Sequence, residues 1–157
     1  MTLSFTTLKN DLQRHLSVIG KRQHTKDGVN MFTAVTVSSE ERPIFDQYIR
    51  GAAQTVEAMI RPLLTAYSVS STEITMTLTN TRGTSDFDDR CKDMVTSFII
   101  AYVLNEYLGM NYPDLARKYD AEASNHMQSL LLYAFHKDAP TASSASYADV
   151  TGTIENA

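Results

Sequence analysis

The stretch from Asp86 to Leu108, DFDDRCKDMVTSFIIAYVLNEYL, constrains the fold more than any other part of this 157-residue chain. Its first third is charged, and from Met94 on it is almost continuously apolar. Phe87, Cys91, Met94, Val95, Phe98, Ile99, Tyr102 and Val103 recur at helical spacing. From Phe98 to Leu104 apolar side chains go nearly all the way round such a helix. A helix without a polar face belongs in the middle of a domain. A membrane span takes about 20 apolar residues. This run is shorter, and Asp93 and Glu106 flank it closely, so it predicts a buried central helix.

Shorter elements surround it. Leu8, Leu12, Leu16 and Ile19 lie one helical turn apart, which predicts a thin amphipathic helix over about 6–18, with Gly20 as its stop. Lys21 to Val29 is a polar loop with a turn signal at Asp27-Gly28. Met31 to Val37 is rich in β-branched residues and suits a short extended segment. Ser38 with Glu41 has the spacing of a capping box, and Pro43 fits a first helical turn. The second helix is expected over about 44–66. Its inner stripe is Phe45, Ile49, Ala52, Val56, Met59 or Ile60, and Leu63, and Pro62 bends the last turn.

Glu73 to Thr79 alternates without a fault, Ile74, Met76 and Leu78 on one side and polar residues on the other. That is a strand buried on one face. Met31 to Val37 is the only good partner within the chain. Without it the strand keeps an open edge that a neighbouring subunit could fill. Ser85, with Asp88 at the capping-box position, starts the central helix and Gly109 ends it. The fourth helix is expected over about 112–136, with Leu115, Tyr119, Ala123, Met127 or His126, Leu130 and Ala134 inside. The connection from Gly109 to Asn111 is so short that the last two helices must form an antiparallel hairpin. The fold class is therefore mainly α: a four-helix, bundle-like domain over 1–137 with a small β-strand or hairpin element, and an extended tail over 138–157. The tail is small, polar and too poor in apolar residues to join a core.

A 43% hydrophobic and 20% charged composition suits a globular domain. With a net charge of −4 and no basic stripe, general attraction to nucleic acid or an anionic membrane is not expected. One cysteine, Cys91, excludes an internal disulfide, and its place on the central helix makes it a small buried hydrophobe. Met1 to Lys9 has no apolar run of the kind a signal peptide needs, which points to the cytoplasm or a particle assembled there.

Chemistry is hard to find. Asp86, Asp88, Asp89 and Asp93 sit in the first turns of the central helix, where carboxylates favour the positive end of its dipole. Arg90 and Lys92 interleave with them. His15, His24, His126 and His136 are far apart in sequence and form no paired zinc motif. An enzyme with an unrecognised site is a further alternative, and a tight cluster of His15, His126 and the Asp86–Asp93 carboxylates around a metal would point to it. No glycine loop suits a phosphate, and nothing resembles a nucleophile elbow. No catalytic, cofactor or metal residue is assigned. Tyr102, Tyr107, Tyr119 and Tyr133, all on the last two helices, suit a core edge or a subunit interface.

The order of these parts resembles the head-tail connector proteins, also called adaptors or head-completion proteins, of tailed bacteriophages. The features that carry the likeness are LKNDLQRHL in the first helix, VTVSSEERPIFDQYIRGAAQTVEAMI entering the second, the strand before the third helix, and the small-residue tail. The resemblance covers roughly residues 5–137. It implies a small helical bundle without catalytic residues that forms a homo-oligomeric ring, commonly a dodecamer, beneath the portal in the virion neck. Tails and loops would grip the portal, the tail proteins and adjacent subunits. DNA would pass through the acidic channel without specific binding, since like charges repel. On this likeness Ile74, Met76 and Leu78 would dock the strand on the bundle or on a neighbour, and Tyr147, Val150 and Ile154 would be contact residues of the tail. The alternative is a small helical protein-binding or regulatory module using a tyrosine-lined groove.

Overall fold

The computed structural model describes residues 1–22, 42–109 and 111–136. In chain order these form β1 (Thr2–Ser4), α1 (Phe5–Arg22), α2 (Arg42–Ile60), a 3-10 turn (Arg61–Leu63), β2 (Leu64–Val69), β3 (Glu73–Leu78), α3 (Phe87–Gly109) and α4 (Pro113–Phe135). The chain is mainly helical, with four helices among the described residues and a small three-stranded antiparallel sheet of order β1-β3-β2.

The apolar stretch is α3, and it lies at the centre. It packs along α4, with which it forms the helical hairpin, and it also meets α2, α1 and β1. Phe87, Cys91, Val95, Phe98, Ile99, Ala101, Val103, Leu104 and Leu108 are all buried. They point several ways round the helix, which is possible only because neighbours cover most of it. Burying each large apolar side chain contributes roughly 1.5–3 kcal/mol. Ile100 and Tyr102 are half-buried and mark the strip nearest solvent. No helix among the described residues is long and apolar enough to cross a membrane.

The stripe of α1 is buried as its spacing requires, Leu8, Leu12, Leu16 and Ile19 being at most 7% exposed. Gly20 does not stop the helix, which continues to Arg22. An interior glycine weakens a helix by only about 1 kcal/mol, which packing readily offsets. A Lys9–Asp46 ion pair at 2.9 Å ties α1 to α2. On α2, Ile60 is fully buried and Met59 is half exposed, which settles that position of the stripe.

The second helix ends at Ile60, six residues before the expected Ala66. Pro62 has no N–H to donate, and the chain tightens into the 3-10 turn and then turns extended at Leu64. Leu64–Val69 then pairs with β3, Tyr67 opposite Met76 and Val69 opposite Ile74, with a bulge between Leu64 and Ala66. Ser70 shapes the hairpin. Its Oγ accepts from the backbone N–H groups of Thr72 (3.1 Å) and Glu73 (3.0 Å).

β3 is therefore the middle strand, and its partners differ from the expected one. One edge takes β2, and the other takes β1, with Thr2 opposite Thr75 and Ser4 opposite Glu73. Met31–Val37, expected to pair here, lies outside the described residues, as do the Ser38–Glu41 capping box and the tail. β3 has a partner on each edge, so among the described residues the outer edges of the sheet belong to β1 and β2.

The loop after β3 closes the last turn of α4. Thr81 Oγ1 donates to the Ala134 carbonyl at 2.6 Å, and Arg82 Nε donates to the Tyr133 carbonyl at 3.0 Å. These carbonyls have no partner inside the helix, and a guanidinium suits the negative end of its dipole. Arg82 also lies 4.3 Å over the Tyr133 ring. Gly83 adopts φ +69°, the left-handed conformation that lets the loop double back onto Asn80. α3 starts one residue later than Ser85 suggested. The Asp86 carbonyl accepts from Arg90 N at 3.0 Å, so Asp86 holds the capping position.

Candidate functional site

Ile74, Met76 and Leu78 are buried at 0%, 0% and 8% exposure inside the chain's own core. The strand docks on the bundle of its own subunit, and these side chains offer no outward surface. Tyr147, Val150 and Ile154 lie outside the described residues.

At the acidic start of α3 one carboxylate, Asp86, is held by its neighbours. Arg90 pairs with Asp86 at 2.6 Å. A hydrogen bond from Thr84, helped by Arg90, holds the Asp86 carboxyl below its ordinary range. Asp88, Asp89 and Asp93 are exposed. His15 and His126 do come together, on a crevice of about 120 Å³ that Tyr119, Glu122, Ser97 and Ile100 also line. The Asp86–Asp93 carboxylates are not among its lining. No group of three or more His, Cys, Asp or Glu side chains among the described residues is placed to hold a metal ion.

That crevice adjoins a larger groove of about 460 Å³ between α1 and α4, sharing His15, Tyr119 and Glu122 with it. Val18, Ile19, Leu115 and Tyr119 make its apolar part, and Arg14, Lys118 and Glu122 its charged part. Lys118 stands 3.6 Å from Glu122 and 5.6 Å from the Tyr119 ring centre. Arg14 pairs with Asp11 at 3.4 Å. Burial, and then the Glu122 carboxylate, raise the Tyr119 phenol above its ordinary pKa, so the ring presents a neutral hydroxyl. Such a groove can hold apolar side chains on its floor, with two exposed and loosely paired cations at its rim. One residue signals it in the sequence. Val18 is apolar yet falls off the Leu8–Leu12–Leu16–Ile19 stripe, and it is 47% exposed.

A second apolar feature was missed altogether. Leu132 (70% exposed) and Phe135 (43%) stand one turn apart on the outer face of α4, at its last turns. In the run Leu130–Leu132 only Leu130 is fully buried. The face of α2 beside Tyr102 carries a third groove, lined by Asp46, Gln47, Arg50 and Gln54 together with Pro43, Tyr48 and Tyr102.

Cys91 is fully buried, and desolvation, then the nearby Asp88 charge, push its thiol from 9.0 up to about 11. Iodoacetamide at pH 8 is therefore expected to leave Cys91 unmodified in the native protein and to alkylate it fully in denaturant. Mass spectrometry reads both states, and rapid native labelling would contradict the burial. The raised pKa also carries a sign. Its contribution to stability is complete below pH 9 and is lost as pH rises toward 11, because the unfolded thiol ionises first.

No protein-family model matches this chain, and neither the curated proteins nor the solved structures contain a match to it.

Proposed function

We propose that this chain is a structural subunit of a phage neck, assembling as a homo-oligomeric ring that joins the portal to the tail and makes or breaks no bonds. The observation that carries the reading is the exposed Leu132 and Phe135 pair at the end of α4. Two large apolar side chains, side by side on an outer helix face, lower their free energy by meeting another surface. The order of the helices and strand supports the neck in particular, since it is the order in which head-tail connectors resemble this sequence. The portal, the neighbouring tail proteins and further copies of the chain are the partners. A net charge of −4 suits a channel through which DNA passes without being held.

The test is assembly. The full-length chain is mixed with the portal protein of the same genome, and the complex is sized by native mass spectrometry and imaged by cryo-electron microscopy. A closed ring on the portal is expected. The double variant Leu132→Glu, Phe135→Glu should keep the wild-type circular dichroism spectrum and lose the ring. No affinity for the portal and no ring in any particle would refute the reading.

A further inference from the structure

We infer that the groove between α1 and α4 is the seat for the chain's own C-terminal segment, with Tyr147–Val150 in the groove. Three observations meet here, and none depends on the neck reading.

The first is reach. α4 rises about 1.5 Å per residue, so His136 lies roughly 25 Å along the helix from Tyr119 in the groove. Residues 137–147 can span up to about 36 Å when extended. The segment can therefore turn back along the helix it leaves and arrive at the groove with length to spare.

The second is chemistry. Residues 138–157 contain Asp138, Asp149 and Glu155 and no lysine or arginine. Tyr147, Ala148, Asp149 and Val150 place one carboxylate between two apolar side chains. The groove presents Arg14 and Lys118 against a single lining carboxylate, Glu122, beside Val18, Leu115 and Tyr119. Both cations are exposed and only loosely paired, at 3.4 and 3.6 Å, so an arriving carboxylate can share them. From Leu115 to Glu122 it runs about 10 Å, the length of three extended residues.

The third is selection among surfaces. The groove on α2 sets one cation, Arg50, against one carboxylate, Asp46, and has no valine, leucine or isoleucine in its lining, whereas the α1–α4 groove has two cations against one carboxylate and Val18, Ile19 and Leu115 on its floor. Being tied to the same chain also gives the segment an effective concentration in the millimolar range, which a free partner must exceed. Seated in this way, the segment is held against its own subunit until a stronger partner draws it out.

The test uses the full-length protein in dilute solution. Ser144→Cys carries a nitroxide label, and buried Cys91 stays unlabelled. Methyl signals of Val18 and Leu115 should broaden. They should not broaden in a mixture of labelled protein with isotope-enriched unlabelled protein. Tyr147→Ser with Val150→Ser should restore the signals. Arg14→Glu with Lys118→Glu should lower the seated-to-free ratio about fivefold, the effect of two exposed ionic contacts. Broadening that appears only in the mixture would assign the groove to a second copy and overturn the inference. Absent broadening, or broadening that ignores both double variants, would also overturn it. Neither outcome touches ring formation on a portal, which is read separately.

Discussion

Truncating Ile99 to alanine is expected to destabilise the protein by about 2–5 kcal/mol, the range for removing a fully buried branched side chain that leaves a cavity. Ile99 is 0% exposed, on a helix enclosed by α4, α2, α1 and β1, so there is no free side from which the structure can relax into the gap. For a chain of this size the midpoint of thermal unfolding should fall by roughly 5 °C or more. The neighbouring Ile100 supplies the control. It is half-buried, and Ile100→Ala should cost clearly less. Denaturant titrations followed by circular dichroism measure both. Equal losses would mean that α3 is not enclosed as described.

Placing an aspartate at Met76 should have a larger effect still. Met76 is fully buried in the middle strand, facing the helices. A carboxyl there must either lose its hydration as a charge or take up a proton. The cost is about 4 kcal/mol or more, a large part of a typical domain's total stability of about 5–15 kcal/mol. Met76→Asp is expected to yield little folded protein. Thr77→Asp, one residue on and exposed, should stay folded within about 1 kcal/mol of the parent. Size-exclusion chromatography and amide proton dispersion separate the cases. Two similar outcomes would mean the strand does not alternate between core and solvent.

Much of this was legible from residue spacing alone. Apolar residues at i, i+4 and i+7 placed Leu8 to Ile19 and Phe45 to Val56 inside, and strict alternation placed Ile74, Met76 and Leu78. These signals are strong because one period repeats over several residues. The failures have physical causes. Leu64–Val69 follows a helical stripe directly, so its extended form was hidden until Pro62 ended the hydrogen-bond ladder. β1 has only three residues, too few to show a period, so nothing marked Thr2–Ser4 as the partner of Glu73–Thr75. The α1–α4 groove depends on how two helices far apart in sequence come to lie side by side, and no local pattern carries that. The exposure of Leu132 was concealed by two leucines before it, because a continuous apolar run does not say which member faces out.

The sheet order has a consequence for how the protein is made. The backbone of Thr2–Ser4 completes its pairing only against Glu73–Thr75, and the Met1 amino group donates to the Met76 carbonyl at 2.7 Å. At a synthesis rate of about 5–20 residues per second, the opening strand waits roughly 4–15 s for its partner to be made. Throughout that interval the leucine stripe of α1, which follows β1 without a break, has neither sheet nor central helix to cover it. β1 and α1 are thus left unsecured until the middle of the chain has been made, and the nascent chain is a natural client for whatever holds sticky helices apart at the ribosome.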